Sequence, residues 1–261
     1  MKYEEYVRVP MAIPGPEQVP LWLGTVGMLV GTLYFGACGW GVEDRRRREF
    51  YVVVVFVTAM AFVNYLSMAL GFGVATVVVG GEPTTIYWAR YTDWIFTTPM
   101  LFIALGLLAG TDRRGLAVLV GLNGLMVVTG VLATLSVGIG GFDPGAFVWW
   151  GVSTAFLLAL LYYLFGPLTR RTHRLRPAAR STFVTLRNLV AVTWLCYPVW
   201  WLAGTDGLGV AGLAVETAGF AALDLVAKLA FGYVLLSDET ALEEAARAAD
   251  ETLEDAARAA D

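Results

Sequence analysis

The chain has 261 residues, 57% of them hydrophobic and only 15% charged, with nine tryptophans and a formal net charge of −4 at pH 7. That much apolar surface exceeds what a soluble domain of this length can bury, so a membrane protein is expected and no nucleic-acid partner. The single histidine, His173, is read as a solvated loop residue, and the sequence carries no metal-ligand cluster and no phosphate-binding glycine loop, so an enzyme is not expected.

Residues 1–20 are polar and broken by prolines, without the apolar centre of a cleavable signal peptide. They are read as an extracellular segment, with the first span acting as its own insertion signal. Seven apolar stretches follow, at 21–41, 49–72, 88–109, 115–138, 146–167, 183–203 and 212–236. Each is near the ~20 residues that a bilayer-spanning helix needs. The predicted fold class is therefore an all-α membrane protein, a seven-transmembrane-helix bundle over residues 21–237.

Basic residues set its orientation. Arg45–Arg48 fall between the first and second spans, Arg113 and Arg114 between the third and fourth, and Arg170, Arg171, Arg174, Arg176 and Arg180 between the fifth and sixth. The alternate loops, 73–87, 139–145 and 204–211, hold no lysine or arginine. The positive-inside rule places the N-terminus outside and the C-terminus in the cytoplasm, as a multi-pass protein of the cell membrane.

In the second loop a β-branched run ending at Val79, followed by Gly80 and Gly81, predicts a short external β-hairpin. Cys38 and Cys196 fall inside spans one and six and are read as buried packing thiols. The acidic tail, 238–261, repeats the stretch beginning at Leu242 again at Leu253. That spacing predicts a helix with Glu243–Arg247 and Glu254–Arg258 as i,i+4 pairs, either solvated or bound to a partner.

Away from span ends, the ionisable intramembrane residues are Arg90 and Asp93 in the third span and Asp224 and Lys228 in the seventh. A charge at the centre of a membrane helix costs roughly 2.5–3.5 kcal/mol on insertion scales, so such groups pair and mark functional paths. Asp224 precedes Lys228 by four residues and shares its helix face. A lysine kept out of water is a good amine for a Schiff base. Asp93 and Asp224 would compensate the cation such a base carries, with Arg90 balancing the second carboxylate.

Glu216 lies about 12 Å external to Asp224 at ~1.5 Å per residue. Asp206, in the preceding loop, is either its partner in an outer proton-holding pair or an ordinary loop carboxylate. Trp94 follows Asp93 directly, and Trp194, Tyr197, Pro198 and Trp201 share one face of the sixth span. They form either a packing stripe or a cage for a planar apolar ligand.

The stretch from Tyr87 to Pro99, YWARYTDWIFTTP, and the stretch from Leu223 to Lys228, LDLVAK, resemble the third-helix signature and the attachment motif of the retinal-binding rhodopsins of halophilic archaea. The resemblance runs from about Leu21 to Ser237. It implies all-trans retinal on Lys228 as a protonated Schiff base, Asp93 as primary counterion and proton acceptor, and Asp224 as second counterion. Thr97 would hydrogen-bond Asp93, and Tyr65 and Tyr197 would hydrogen-bond Asp224. Trp94, Trp150, Trp194 and Trp201 would enclose the polyene, with Thr98, Met126, Gly130, Ser153 and Pro198 completing the pocket. Arg90, Glu216 and Asp206 match the family's outer proton-release group. Light would isomerise retinal and send the Schiff-base proton to Asp93. A carboxylate at position 93 argues against a chloride pump, which needs a neutral residue there.

Departures from the family's pumps are specific. Ala104 stands where pumps carry a cytoplasmic proton donor, Val54 where a threonine tunes that donor, and Asn123 where an aspartate is frequent. These favour slow reprotonation and a sensory role. Ala227 and Ala222, in place of a threonine and a tyrosine used in signalling, point the other way. The mixture is similar to the middle rhodopsins. The expected function is a photoreceptor of intermediate, sensory-like type with slow or weak outward proton transport, the alternative being a light-driven outward proton pump. The expected partners are the lipid bilayer, a two-helix transducer, and further copies of the chain as a trimer or dimer.

Overall fold

The computed structural model describes residues 15–79, 82–136 and 144–243, together with Arg247. Among these, seven helices are of membrane length: α1 (Gln18–Gly39), α2 (Arg45–Ala69), α3 (Trp88–Leu108), α4 (Arg113–Leu135), α5 (Pro144–Arg174), α6 (Pro177–Ala203) and α7 (Leu213–Leu236). All but α6 are apolar enough along their length to read as spans by composition. In α6 the aromatic residues, with Arg187 and Asn188 near the cytoplasmic end, lower the mean hydropathy of a helix that still takes its place in the ring, between α5 and α7.

Several helices run past their apolar stretches because polar start signals lie outside the membrane-length run. Asp44 caps α2 by accepting from the Arg47 backbone N–H at 2.7 Å, and Asp112 caps α4 by accepting from the Gly115 N–H at 2.8 Å. Pro177 opens α6, where its missing N–H costs nothing. Hydropathy marks the bilayer, whereas caps mark where the helix begins.

The helices close a ring, each packing on its chain neighbours and α7 returning to α1, while α3 also meets α6 and α2 also meets α7. Gly24 makes the approach of α1 possible, since a Cβ there would fall on the Tyr65 ring of α2. Apolar side chains such as Val19, Leu23, Val30 and Leu33 of α1 stay exposed on the outer face, as a lipid-facing surface requires. Cys38 and Cys196 are on this face too, which corrects their reading as buried packing thiols: each sits on the side of its helix turned away from the ring.

Between α2 and α3, β1 (Ala75–Val79) pairs antiparallel with β2 (Glu82–Ile86), Ala75 opposite Ile86 and Val79 opposite Glu82. The predicted hairpin is therefore present, its Gly80–Gly81 turn lying outside the described residues. Two helices contain π-helical turns: Leu164–Leu168 in α5 and Val226–Ala230, around Lys228, in α7. Such turns recur at functional sites and leave no hydropathy signal.

At the cytoplasmic side a further helical turn, 239–243, docks on the bundle. Arg47 of α2 meets Glu239 at 3.0 Å, Arg176 meets Glu243 at 3.2 Å, and the Thr182 hydroxyl donates to Asp238 at 2.5 Å. Ala241 and Leu242 are fully buried beneath these contacts. Most of the N-terminal segment and the second copy of the tail repeat, with Glu254 and Arg258, lie outside the described residues.

The Asp112 carboxyl is held below its ordinary value of 3.8, mainly by the Gly115 N–H, with Arg171 adding to it and burial opposing. A depressed carboxyl stabilises the fold above the unfolded value, and that contribution is lost as pH falls through the folded one. Asp112→Ala is expected to cost about 1 kcal/mol near neutral pH. Thermal unfolding should show the difference from the parent chain shrinking as pH is lowered through the acid range.

Candidate functional site

The middle of the bundle holds three charges in contact. Lys228 on α7 is 2% exposed, and Asp93 on α3 and Asp224 on α7 are each 1% exposed. Lys228 Nζ stands 2.5 Å from Asp93 Oδ2 and 3.2 Å from Asp224 Oδ1. Ions so far from water survive only when paired and hydrogen-bonded.

Asp224 has the richer set of partners. Tyr65 Oη of α2 donates to its Oδ2 at 2.7 Å, while Tyr197 Oη of α6 at 2.6 Å and Trp94 Nε1 of α3 at 3.0 Å both donate to Oδ1. Four helices thus converge on one carboxylate. Asp93 is less supported: Oδ1 has no hydrogen-bond partner among the described residues. The Thr97 hydroxyl donates to the Asp93 backbone carbonyl at 2.8 Å, as a threonine in a helix does to the carbonyl four residues earlier, and also interacts with the Asp93 carboxyl.

Beside this cluster is a cavity with a wall that is mostly apolar and aromatic. Its lining includes the expected pocket residues Trp94, Thr98, Met126, Gly130, Trp150 and Ser153, and from α6 Trp194, Tyr197, Pro198 and Trp201. The spacing of the α6 residues brings them to one face, whereas Trp200 turns away and donates to the Glu216 carbonyl at 2.9 Å. Lys228 is not itself on the cavity wall. Trp94 and Tyr197 are, and both also donate to the carboxylate paired with the lysine, so cavity and amine are one shell apart. Aromatic and apolar walls with a few polar groups suit an apolar ligand. A long apolar aldehyde condensed on a buried amine fits this arrangement in polarity, with Trp94 and Tyr197 shared between the cavity wall and the carboxylate beside the lysine.

Outward of Asp93, Arg90 is buried at 5% exposure, with its guanidinium carbon 4.3 Å from the Phe220 ring centroid and 5.3 Å from that of Tyr87. Glu216 is buried and accepts from both the backbone N–H and the hydroxyl of Thr205, each at 2.7 Å. Asp206, half-buried in the α6–α7 loop, accepts from the Thr134 hydroxyl at 2.9 Å. Burial first, and then the nearby Glu216 charge, push the Asp206 carboxyl up to about 6, against the Thr134 hydrogen bond and Arg90. Asp206 and Glu216 thus interact electrostatically while each keeps its own donors.

On the cytoplasmic side, Ala104 and Val54, each 1% exposed, belong to one apolar cluster with Phe50, Phe231 and Leu235. Among the described residues the buried carboxylates are Glu17, Asp93, Glu216 and Asp224, none of them cytoplasmic to Lys228. Asn123 is buried and donates to Thr98 Oγ1 at 2.8 Å.

Sequence reasoning missed three contacts: the Trp94 indole on Asp224, the Thr205 clasp on Glu216, and Thr134 as a partner of Asp206. Thr134 follows Met126 and Gly130 at four-residue steps, so helical periodicity placed it on the pocket face of α4, one turn further out. The other two depend on tertiary placement that periodicity does not encode.

A hydrogen bond to a charged group contributes about 1.5–3 kcal/mol. Tyr197→Phe, which removes one donor from the buried Asp224 charge, should therefore destabilise the fold by about 2 kcal/mol. Chemical or thermal unfolding in detergent or lipid measures it, with Tyr162→Phe on the exposed face as the neutral comparison.

The family model for bacteriorhodopsin-like proteins matches residues 15–242. Bacteriorhodopsin-I of Haloarcula marismortui is 58% identical over 238 residues, covering 90% of this chain and 95% of that protein. Cruxrhodopsin-3 of Haloarcula vallismortis is 57% identical with the same coverage. Among solved structures, cyanorhodopsin from Calothrix sp. NIES-2098 superposes with a TM-score of 0.82 at 35% identity, covering 89% of this chain and 99% of that one. Members of this family are light-driven pumps or receptors rather than enzymes, and they bind retinal through a Schiff base to a lysine. The chain belongs to the bacteriorhodopsin-like family, the haloarchaeal retinal proteins of the cell membrane.

Proposed function

We propose that this chain is a light-driven outward proton transporter whose cycle is limited by slow proton uptake from the cytoplasm. The observation that carries this reading is the asymmetry about Lys228: buried acids and Arg90 on the outer side, and an apolar cluster around Ala104 on the inner side. Retinal held as a Schiff base on Lys228 supplies a light-driven isomerisation that reorients the nitrogen's proton.

Asp93 is the acceptor, since its Oδ2 is the nearer carboxylate oxygen to the lysine nitrogen and its Oδ1 has no hydrogen-bond partner among the described residues. Asp224 already accepts from Tyr65, Tyr197 and Trp94, so it gains least by taking the proton and serves as the fixed counterion. Arg90, next outward on α3, carries the change in Asp93 charge towards Glu216 and Asp206, which hold the proton for release.

Among the described residues, return of the proton has no such relay. With Ala104 packed among apolar side chains, uptake waits for water to enter from the cytoplasm. The sensory reading keeps one supporting observation, since the same missing donor prolongs the state a transducer would detect. The 58% identity with a bacteriorhodopsin, and the exposed Ala222 in place of a signalling tyrosine, favour transport.

Illuminated vesicles or cells should acidify the medium at a low turnover rate, and an uncoupler should abolish the signal. Asp93→Asn should abolish it too, and Lys228→Ala should leave no visible absorption band after retinal is added. A positioned proton donor speeds transfer by roughly 10²–10⁴. Ala104→Asp, or added azide, is therefore expected to hasten recovery of the resting absorbance on the order of a hundredfold. Absence of any light-driven pH change, with a two-helix membrane protein co-purifying, would replace transport by signalling.

A further inference from the structure

We propose that Thr134 is a positioning residue that joins the outer wall of the chromophore pocket to the release carboxylate Asp206, and that the direction of its hydrogen bonds reports whether that carboxylate holds a proton. The inference rests on the outward-transport reading for its meaning, though not for its geometry.

Thr134 is 3% exposed, and its hydroxyl is the meeting point of three side chains. Tyr91 Oη lies 2.6 Å away, the Trp201 indole donates to it at 2.9 Å, and it donates to Asp206 Oδ2 at 2.9 Å. Tyr91 and Trp201 both line the cavity. One hydroxyl therefore spans from pocket wall to outer loop, across α3, α4, α6 and the α6–α7 connection.

The inventory of protons fixes the directions. A hydroxyl has one hydrogen to give and two lone pairs to accept with, and an indole N–H can only donate. An ionised Asp206 can only accept, so Thr134 spends its one hydrogen there and Tyr91 must donate to Thr134. When Asp206 is protonated and gives its hydrogen to Thr134, the two lone pairs are filled by Asp206 and Trp201. Thr134 must then donate to Tyr91. Gain or loss of one proton at Asp206 thus reverses the bond at Tyr91, inside the pocket wall, with no side chain moved.

The charged and titratable groups that face Asp206 are Glu216 from α7 and Arg90 and Tyr91 from α3. They and burial leave Asp206 poised at about 6, so both bond arrangements are reached under mild conditions.

The test uses the full chain, with and without retinal, titrated between pH 4 and 8. In the retinal-free protein the Trp201 indole N–H resonance, assigned through Trp201→Phe, should shift with a midpoint near about 6, and in the pigment the absorption maximum should step at the same pH. Asp206→Asn should remove both steps. Thr134→Val, which deletes the donor to the carboxylate, should raise the Asp206 midpoint by about one pH unit, followed by its carboxyl infrared band, and uncouple the pocket signals from it. Thr134→Ser should restore the parent behaviour, which a purely structural role of the methyl group would not. Tyr91→Phe should move the Asp206 midpoint less than Thr134→Val while abolishing the pigment step. Pocket steps that persist in Thr134→Val, or a midpoint unchanged there, would overturn the proposal. A pigment that shows these steps but never acidifies the medium would remove the transport reading alone.

Discussion

The structure depends on keeping three ions out of water at one place. Each carries an effective burial penalty of several kcal/mol, and mutual attraction repays it only with good geometry and further hydrogen bonds. The surrounding helices supply both. Asp224 is shared by α2, α3, α6 and α7 through Tyr65, Trp94, Tyr197 and Lys228, so a single carboxylate knits four elements. Even α1, which contributes no charge, is shaped by the cluster: Gly24 leaves room for the ring of Tyr65. The same geometry that lets the bundle tolerate a buried lysine leaves Asp93 the less occupied acid.

Much of this was legible in the sequence, because the physics that makes it expensive also makes it conspicuous. Ionisable residues at membrane depth are rare, and Arg90, Asp93, Asp224 and Lys228 stood out for that reason. The α6 aromatics were readable because helical periodicity puts residues 194, 197, 198 and 201 on one face, and the cavity they were expected to line is present. The hairpin followed from its β-branched run and paired glycines.

The rest was hidden for definite reasons. The π-helical turn around Lys228 leaves no mark in hydropathy or periodicity. Thr97 also gives its hydrogen to the Asp93 carbonyl of its own helix, a local bond that the spacing of the motif does not display. Cys38 and Cys196 face lipid because an apolar stretch reveals depth in the bilayer but not which side of the helix turns inward. Glu243 meets Arg176 across the bundle, a contact that the tail repeat alone did not disclose.

The two sides of the lysine are built from different materials, and they will answer to different physical variables. Outward, the proposed path runs among groups already linked by hydrogen bonds, such as Tyr91, Thr134 and Asp206. Transfer there is governed by the mass of the hydrogen and shows itself as solvent isotope sensitivity. Inward, the proposed uptake requires the Ala104 cluster to open far enough to admit water, beneath a helical turn held by Arg47 and Arg176. That step is governed by packing, so it carries a volume of activation and a steep temperature dependence. On the proposed cycle, the return half is therefore the one whose rate pressure and temperature would set.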